Sequence, residues 1–459
     1  MKILVLNGSP KGDYSVTLQT IRYLELVRPQ HNLEVLNIGA KIKYFERNLA
    51  DFERAVAEAE LIMFAFPVYT FIAPYQVHRF IELIKERGID LSGKYATTLT
   101  TSKHFYDMTA HGYIRDNCHD LGMKYIKGLS ADMDDLTTEK GRQEAEAFLD
   151  YVAWQMAEGL CERAPEERAG LPLTEASPVM CEGDEGEKTG DVVIITNREE
   201  DDEALLRMIQ RFVAVSKRKC RVVNIREFPF IGGCLGCFRC AVSGKCVYKD
   251  GFDSFLRDEL QTAEAMVYAF SIKDHSMGAS FKLFDDRQFC NGHRTVTMGM
   301  PVGYIISGRL SEEENLRTII EARADVGGNH LAGIAGNEGD ADQEIDELAK
   351  RLEYALEKGY KQPQTFYGVG GMKIFRDLIW LMQGIMRADH KFYKAHGQYD
   401  FPQKKRGTML LMKLLGGLLA LPGAREKMGG KMREGMLMPY KKVLDKTRRE
   451  LEKRAKQSE

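Results

Sequence analysis

Two apolar rhythms alternate along the first 160 residues. Short continuous apolar runs suit strands buried on both faces, whereas stretches with apolar positions every three or four residues suit helices. The runs predict strands at Lys2–Gly8, Leu33–Ile38, Leu61–Val68 and Tyr95–Thr101, and one beginning at Tyr125–Gly128. The helical spacing predicts helices at Ser15–Leu26, Asn48–Glu60, Pro74–Arg87, Tyr113–Leu121 and Thr138–Gly159. Five strands alternating with helices imply a parallel sheet covered on both sides.

The rhythm stops over residues 161–190, where Pro165, Pro172, Pro178 and the acidic Cys181–Glu187 stretch form a linker signature. It then restarts, with strands at Asp191–Thr196, Arg221–Ile225, Ala265–Phe270, Val302–Ser307 and His330–Ala335. Helices are expected between and after them, at Glu203–Ser216, Phe252–Gln261, Ser280–Arg287, Glu312–Ala324 and Asp342–Gly359. The same order of elements occurs twice, so the chain reads as a duplicated fold. This predicts two tandem doubly wound parallel five-stranded sheets, in domains 1–160 and 191–360 joined by 161–190. A helical extension, 361–459, follows, with apolar runs at Phe375–Arg387 and Met409–Leu421 punctuated by Pro402 and Pro422.

The composition, 44% hydrophobic and 29% charged, is that of a globular protein and excludes overall disorder. The apolar run at the N-terminus is too short for a signal peptide, so a cytoplasmic location is expected. Nine cysteines in that setting favour thiol, redox or metal chemistry over disulfides. Charge is unevenly spread: residues 361–459 hold 22 Lys and Arg against 9 Asp and Glu, although the whole chain nets −2. A basic tail on an acidic body implies contact with the body or an anionic partner. No nucleic-acid motif accompanies that charge, so no nucleic-acid partner is expected. Met409–Leu421 is shorter than the roughly 20 residues a membrane span needs. It fits a helix packed across the two domains or, alternatively, a peripheral helix on anionic lipid. Asp389, His390, His396 and Asp400 match no metal-site spacing and read as structural.

Candidate chemistry concentrates in two places. Gly8-Ser9-Pro10-Lys11-Gly12-Asp13-Tyr14-Ser15-Val16-Thr17 lies between the first strand and its helix. Free amides at a helix N-terminus attract phosphate; Ser9, Ser15 and Thr17 add hydroxyls and Lys11 a charge. Pro67-Val68-Tyr69-Thr70-Phe71 ends the third strand and Thr100-Thr101-Ser102 the fourth. A capped surface helix would account for the first loop alone; the three segments together point to a ligand at the sheet's switch point.

The first domain resembles the NADPH-dependent FMN reductase and flavodoxin-like family. Asn7-Gly8-Ser9-Pro10-Lys11, Ser15, Thr17, Pro67-Val68-Tyr69 and Pro74 carry the likeness over about 150 residues. It implies FMN, with the phosphate on Ser9–Thr17 and the ring against Pro67–Phe71 and Thr100–Ser102. A departure is the third loop, Thr101–Phe105, which lacks the glycines often found there.

The second place is Cys234-Leu-Gly-Cys237-Phe-Arg-Cys240-Ala-Val-Ser-Gly-Lys-Cys246. Four such thiolates can hold a [4Fe–4S] cluster or zinc, and the tight first three favour the cluster; free redox thiols are the alternative. The layout resembles the iron–sulfur flavoproteins of the same broad family, which implies a cluster on Cys234, Cys237, Cys240 and Cys246 and assembly as oligomers. The scattered Cys118, Cys161, Cys181, Cys220 and Cys290 read as incidental thiols. In the second domain, Glu199–Glu203 puts five carboxylates where the first domain has its phosphate loop, so FMN is expected only once. Lys282-Leu-Phe-Asp285-Asp286-Arg287 still resembles the family helix after strand three.

These readings predict a flavin-dependent NAD(P)H oxidoreductase with FMN, a reduced nicotinamide donor, an unidentified acceptor and a [4Fe–4S] cluster as a further carrier. The two halves would form an internal pseudo-dimer. Alternatives are a non-catalytic metal- or partner-binding assembly protein, or a quinone reductase at the membrane surface.

Overall fold

The structure, a computed structural model, describes residues 1–162, 171–179, 188–401 and 406–419, with isolated positions beyond. The Cys181–Glu187 stretch, Pro165, Pro402 and Pro422 lie outside the described residues. Met1–His396 form one compact unit and the chain from Gly397 a second.

The first half contains strands β1 (Lys2–Asn7), β2 (Asn32–Leu36), β3 (Leu61–Pro67), β4 (Tyr95–Ser102), β5 (Lys124–Tyr125) and β6 (Leu129–Asp132). They pair in the order β2-β1-β3-β4-β5, with β6 continuing along β4. The second half contains β7 (Thr189–Thr196), β8 (Arg218–Asn224), β9 (Ala265–Ser271), β10 (Pro301–Ser307) and β11 (His330–Gly336), ordered β11-β10-β9-β7-β8. Read from the other edge this is the same topology, and every pairing is parallel. Leu61 to Phe66 are all buried, as a central strand with helices on both faces must be. The duplicated α/β fold read from the sequence is thus present.

The halves pack through equivalent elements. Helix Tyr75–Glu86, after β3, lies on helix Gly278–Arg287, after β9; helix Asp107–Asp120 lies on Glu314–Gly327. One hydrophobic cluster runs through the junction, joining Val77, Phe80 and Tyr113 to Phe281, Phe284 and Ile320. Each paired helix also caps the other. Asp286 accepts the amide of Tyr75 at 2.8 Å, and Glu82 accepts that of Ala279 at 2.7 Å. Both carboxylates stand seven residues beyond the amide bound on their own helix, as a pseudo-twofold relation requires. The turns before these helices match too: Thr70 and Phe71 take left-handed φ of 42° and 72°, and Asp274 and His275 of 52° and 60°.

Residues 171–179 are laid against the second half: Thr174 donates to the Asn337 carbonyl at 2.7 Å and Ala176 is buried in that half's core. In the extension, the apolar run Phe375–Arg387 covers the end of helix Phe366–Leu381 and the start of helix Arg387–Ala395. The first packs on Glu314–Gly327, and Asp389 and Tyr393 of the second are buried. Helix Arg406–Leu419 belongs to the second unit, and its Met409, Leu410, Leu411 and Leu414 are exposed. No described helix is long and apolar enough to cross a membrane.

Candidate flavin cleft

The loop after β1 turns tightly because Asn7 organises it. Its side-chain amide donates to the Gly12 carbonyl at 3.0 Å, and its carbonyl oxygen accepts the Ser9 amide at 3.2 Å. Ser15 then caps helix Val16–Val27, accepting from Leu18 N at 3.4 Å. Ser9, Lys11 and Ser15 consequently border one end of a cavity of about 320 Å³. Pro67, Val68, Tyr69, Thr70 and Phe71 line it from the end of β3, and Thr101 and Ser102 from the end of β4. Thr17 and Thr100 do not line it. Thr17 is buried behind the loop, its hydroxyl 2.6 Å from that of Thr101, and Thr100 pairs with His111 at 2.8 Å.

The glycine-poor third loop reaches its shape through strained residues: His104 and Tyr106 take φ of 55° and 51°. His104 turns to Asp107 at 2.9 Å, away from the cavity. Phe105 turns inward, packing on Phe71 at 4.9 Å and stacking on Phe375 of the extension at 4.4 Å.

The second half walls the same cavity. Cys234, Gly236 and Phe238 approach the loop after β1, with Lys11 Nζ 5.5 Å from the Phe238 ring. Gly236 has φ of +58°, and a Cβ there would overlap the Tyr69 hydroxyl, so only glycine permits this closure. Burial, then Cys234 and Asp286, push the Tyr69 phenol well above its ordinary pKa, so it stays protonated. Beneath it, fully buried Lys282 donates to the Tyr69 carbonyl at 3.2 Å, to Asp285 at 3.1 Å, to Asp286 at 2.6 Å and to the Thr70 hydroxyl. Arg323 pairs with Asp285. Arg287 is held by Asp250 at 2.7 Å and covered by Tyr248, 4.5 Å from ring centroid to guanidinium.

The equivalent loop of the second half is filled by its own side chains. Asp202 caps helix Glu203–Val215 at Leu205 N, 3.1 Å, and accepts from Ser271 at 2.5 Å. Arg226 pairs with Glu199. Carboxylates therefore occupy the loop equivalent to Ser9–Ser15.

Among the described residues no three His, Cys, Asp or Glu side chains are grouped to hold a metal ion. Cys237 is exposed while Cys240 is buried at the start of the short helix Arg239–Ser243. Cys234 lies near Cys240 and Cys246, and Cys240 near Cys237 and Cys246, the members of each pair acting electrostatically on one another. Burial pushes Cys234 up to about 12 and Cys240 up to about 11, which holds both as thiols.

Sequence reasoning missed His293. It lines the cavity, yet its carboxylate partner, Asp389, lies 96 residues further on. The only local sign is an aperiodic stretch, 288–300, between helix Gly278–Arg287 and β10.

A family model described as a flavodoxin-like fold matches residues 1–152. The first domain is therefore flavodoxin-like. Solved structures similar to parts of the chain include general stress protein 14 from Treponema denticola in complex with FMN. It is 15% identical, covers 34% of this chain and 98% of its own, and has a TM-score of 0.27. An FMN-dependent NADH-azoreductase from Bacillus anthracis, also with FMN, is 16% identical over 34% of this chain and 99% of its own, at TM-score 0.25. An NADPH-quinone reductase from P. pentosaceus is 14% identical over 33% and 97%, at TM-score 0.27. No curated protein sequence matches the chain.

Proposed function

We propose, from the premise of a flavodoxin-like first domain, that this protein is an FMN-dependent oxidoreductase drawing hydride from a reduced nicotinamide. The observation that carries the reading is one cavity shared by three loop ends. Ser9–Ser15, Pro67–Phe71 and Thr101–Ser102 meet there, at the carboxyl ends of adjacent strands.

The donor set suits the cofactor. Two hydroxyls, an ammonium group and a helix N-terminus fit a phosphate, and the Pro67–Phe71 turn with Phe105 offers backbone and aromatic surface to a flat ring. When bound, FMN would supply hydride transfer, which no side chain here can perform. The chain's own residues position and shield it. Lys282 and Asp286 fix the Tyr69–Thr70 turn, and Phe71, Phe105 and Phe375 keep water from that side. Cys234 reaches the cavity wall.

The test is titration of flavin-free protein with FMN, followed by NAD(P)H oxidation with a soluble acceptor. Saturable quenching of flavin fluorescence and flavin-dependent turnover are expected. Folded protein that takes up no FMN overturns the proposal.

A further inference from the structure

Beyond the flavin-facing loops the cavity continues into the second half, where Met266, Tyr268, Val302, Tyr304 and Val326 line it. This end is largely aromatic and aliphatic, with the Arg323 guanidinium near Tyr268 and Tyr304, and His293 lines the same cavity.

The imidazole is fixed from several directions. Its Nδ1 is 2.9 Å from Asp389 Oδ2, and its backbone N–H donates to the same oxygen at 3.2 Å. Asp389 is fully buried, and the Arg294 guanidinium lies 3.4 Å from its other oxygen. Tyr393, one turn beyond Asp389 on helix Arg387–Ala395, donates to the His293 carbonyl at 3.1 Å. Phe289 and Phe375 pack edge-on to the imidazole at 5.0 and 4.8 Å. Gly292 takes φ of +63°, and a Cβ there would overlap the Asp389 carboxylate. The backbone is thus shaped to admit this carboxylate.

A carboxylate on Nδ1 leaves Nε2 as the nitrogen free to exchange a proton with a cavity ligand. The flavin wall is close, because Phe375 touches His293 on one side and stacks on Phe105 on the other.

We propose that His293 is the proton donor to an acceptor bound in this aromatic chamber, with Asp389 as its positioning residue. The inference rests on the flavin reading above. The acceptor class that fits is a planar conjugated carbonyl compound: its rings match the aromatic lining and its reduction needs a proton. The step balances. The reduced nicotinamide, through the flavin, supplies hydride to the conjugated system, and the carbonyl oxygen becomes an oxyanion. Nε2–H gives that oxygen its proton, and the neutral imidazole regains one from water. The nicotinamide is oxidised and the acceptor gains two electrons and two hydrogens.

The experiment compares His293→Gln and Asp389→Asn with the unaltered, FMN-loaded protein, using a benzoquinone, which takes up protons, and ferricyanide, which takes none. For His293→Gln, kcat with the quinone should fall about 10²-fold or more while ferricyanide reduction falls less than about threefold. Asp389→Asn should show the same selectivity. A second readout needs no turnover: the 15N imidazole spectrum of flavin-free protein should show His293 protonated at Nδ1 when neutral, with mixed tautomers in Asp389→Asn. Equal losses with both acceptors, no loss with either, or a His293 protonated at Nε2 when neutral would overturn the proposal. Failure of the unaltered protein to take up FMN would instead refute the flavin reading, leaving the spectrum to test the dyad.

Discussion

Replacing Lys282 by methionine removes one charge from the centre of the molecule and little volume. Lys282 is fully buried, and its ammonium group meets two carboxylates, one carbonyl and one hydroxyl, all from residues that form or support the flavin cleft. Breaking a buried ion pair by removing one partner typically costs about 3–5 kcal/mol, because the remaining charge is left uncompensated. Asp285 keeps Arg323, and Asp286 keeps the Tyr75 amide and the Thr70 hydroxyl, so the lower end, about 3 kcal/mol, is expected. Burial already holds the Asp286 carboxyl above its ordinary pKa, with Lys282 pulling it down. Without Lys282 its folded pKa should rise further above the unfolded value. Raised pKa values favour folding below the unfolded pKa and lose that advantage as pH climbs, so the deficit should grow between pH 5 and pH 8. Urea unfolding of Lys282→Met, followed by circular dichroism at both pH values, measures this. The Lys282→Met/Asp286→Asn double variant should recover part of the loss. A deficit below about 1 kcal/mol, or one that does not change with pH, would refute the reasoning.

Three further outcomes are expected. Extraction should yield one FMN per chain, because Asp202 and Glu199 occupy the second loop; two would show that those carboxylates give way. His275 joins the halves, with Glu313 at 2.9 Å and Asp120 at 3.0 Å; burial opposes its charge, but these carboxylates outweigh burial and push it up to about 10. The charge it supplies is fully stabilising below its unfolded pKa, so stability should fall as pH rises from about 6.5 to 10. His275→Gln should flatten that slope, as read by thermal melts; an unchanged slope would exclude His275 as its source. For the basic second unit we propose contact with anionic lipid through Met409, Leu410, Leu411 and Leu414. The protein should sediment with phosphatidylcholine vesicles that contain phosphatidylserine and not with those lacking it; equal sedimentation counts against the contact.

The strand and helix order of both halves, the turns that end β1, β3 and β4, and the acidic first loop of the second half are legible in the sequence alone. These features are local: burial period, helix caps and loop chemistry act within a few residues of one another. The third loop shows the limit, because left-handed His104 and Tyr106 carry none of the glycine that would announce such a backbone. Tertiary structure alone decided how the halves meet, which loops share one cavity, and that Asp389 reaches His293. Although the pairs of Lys282 with Asp285 and Asp286 are local to its helix, the Lys282–Thr70 contact spans 212 residues. Such pairings arise when two apolar helix faces bury each other and the polar groups carried along must find partners.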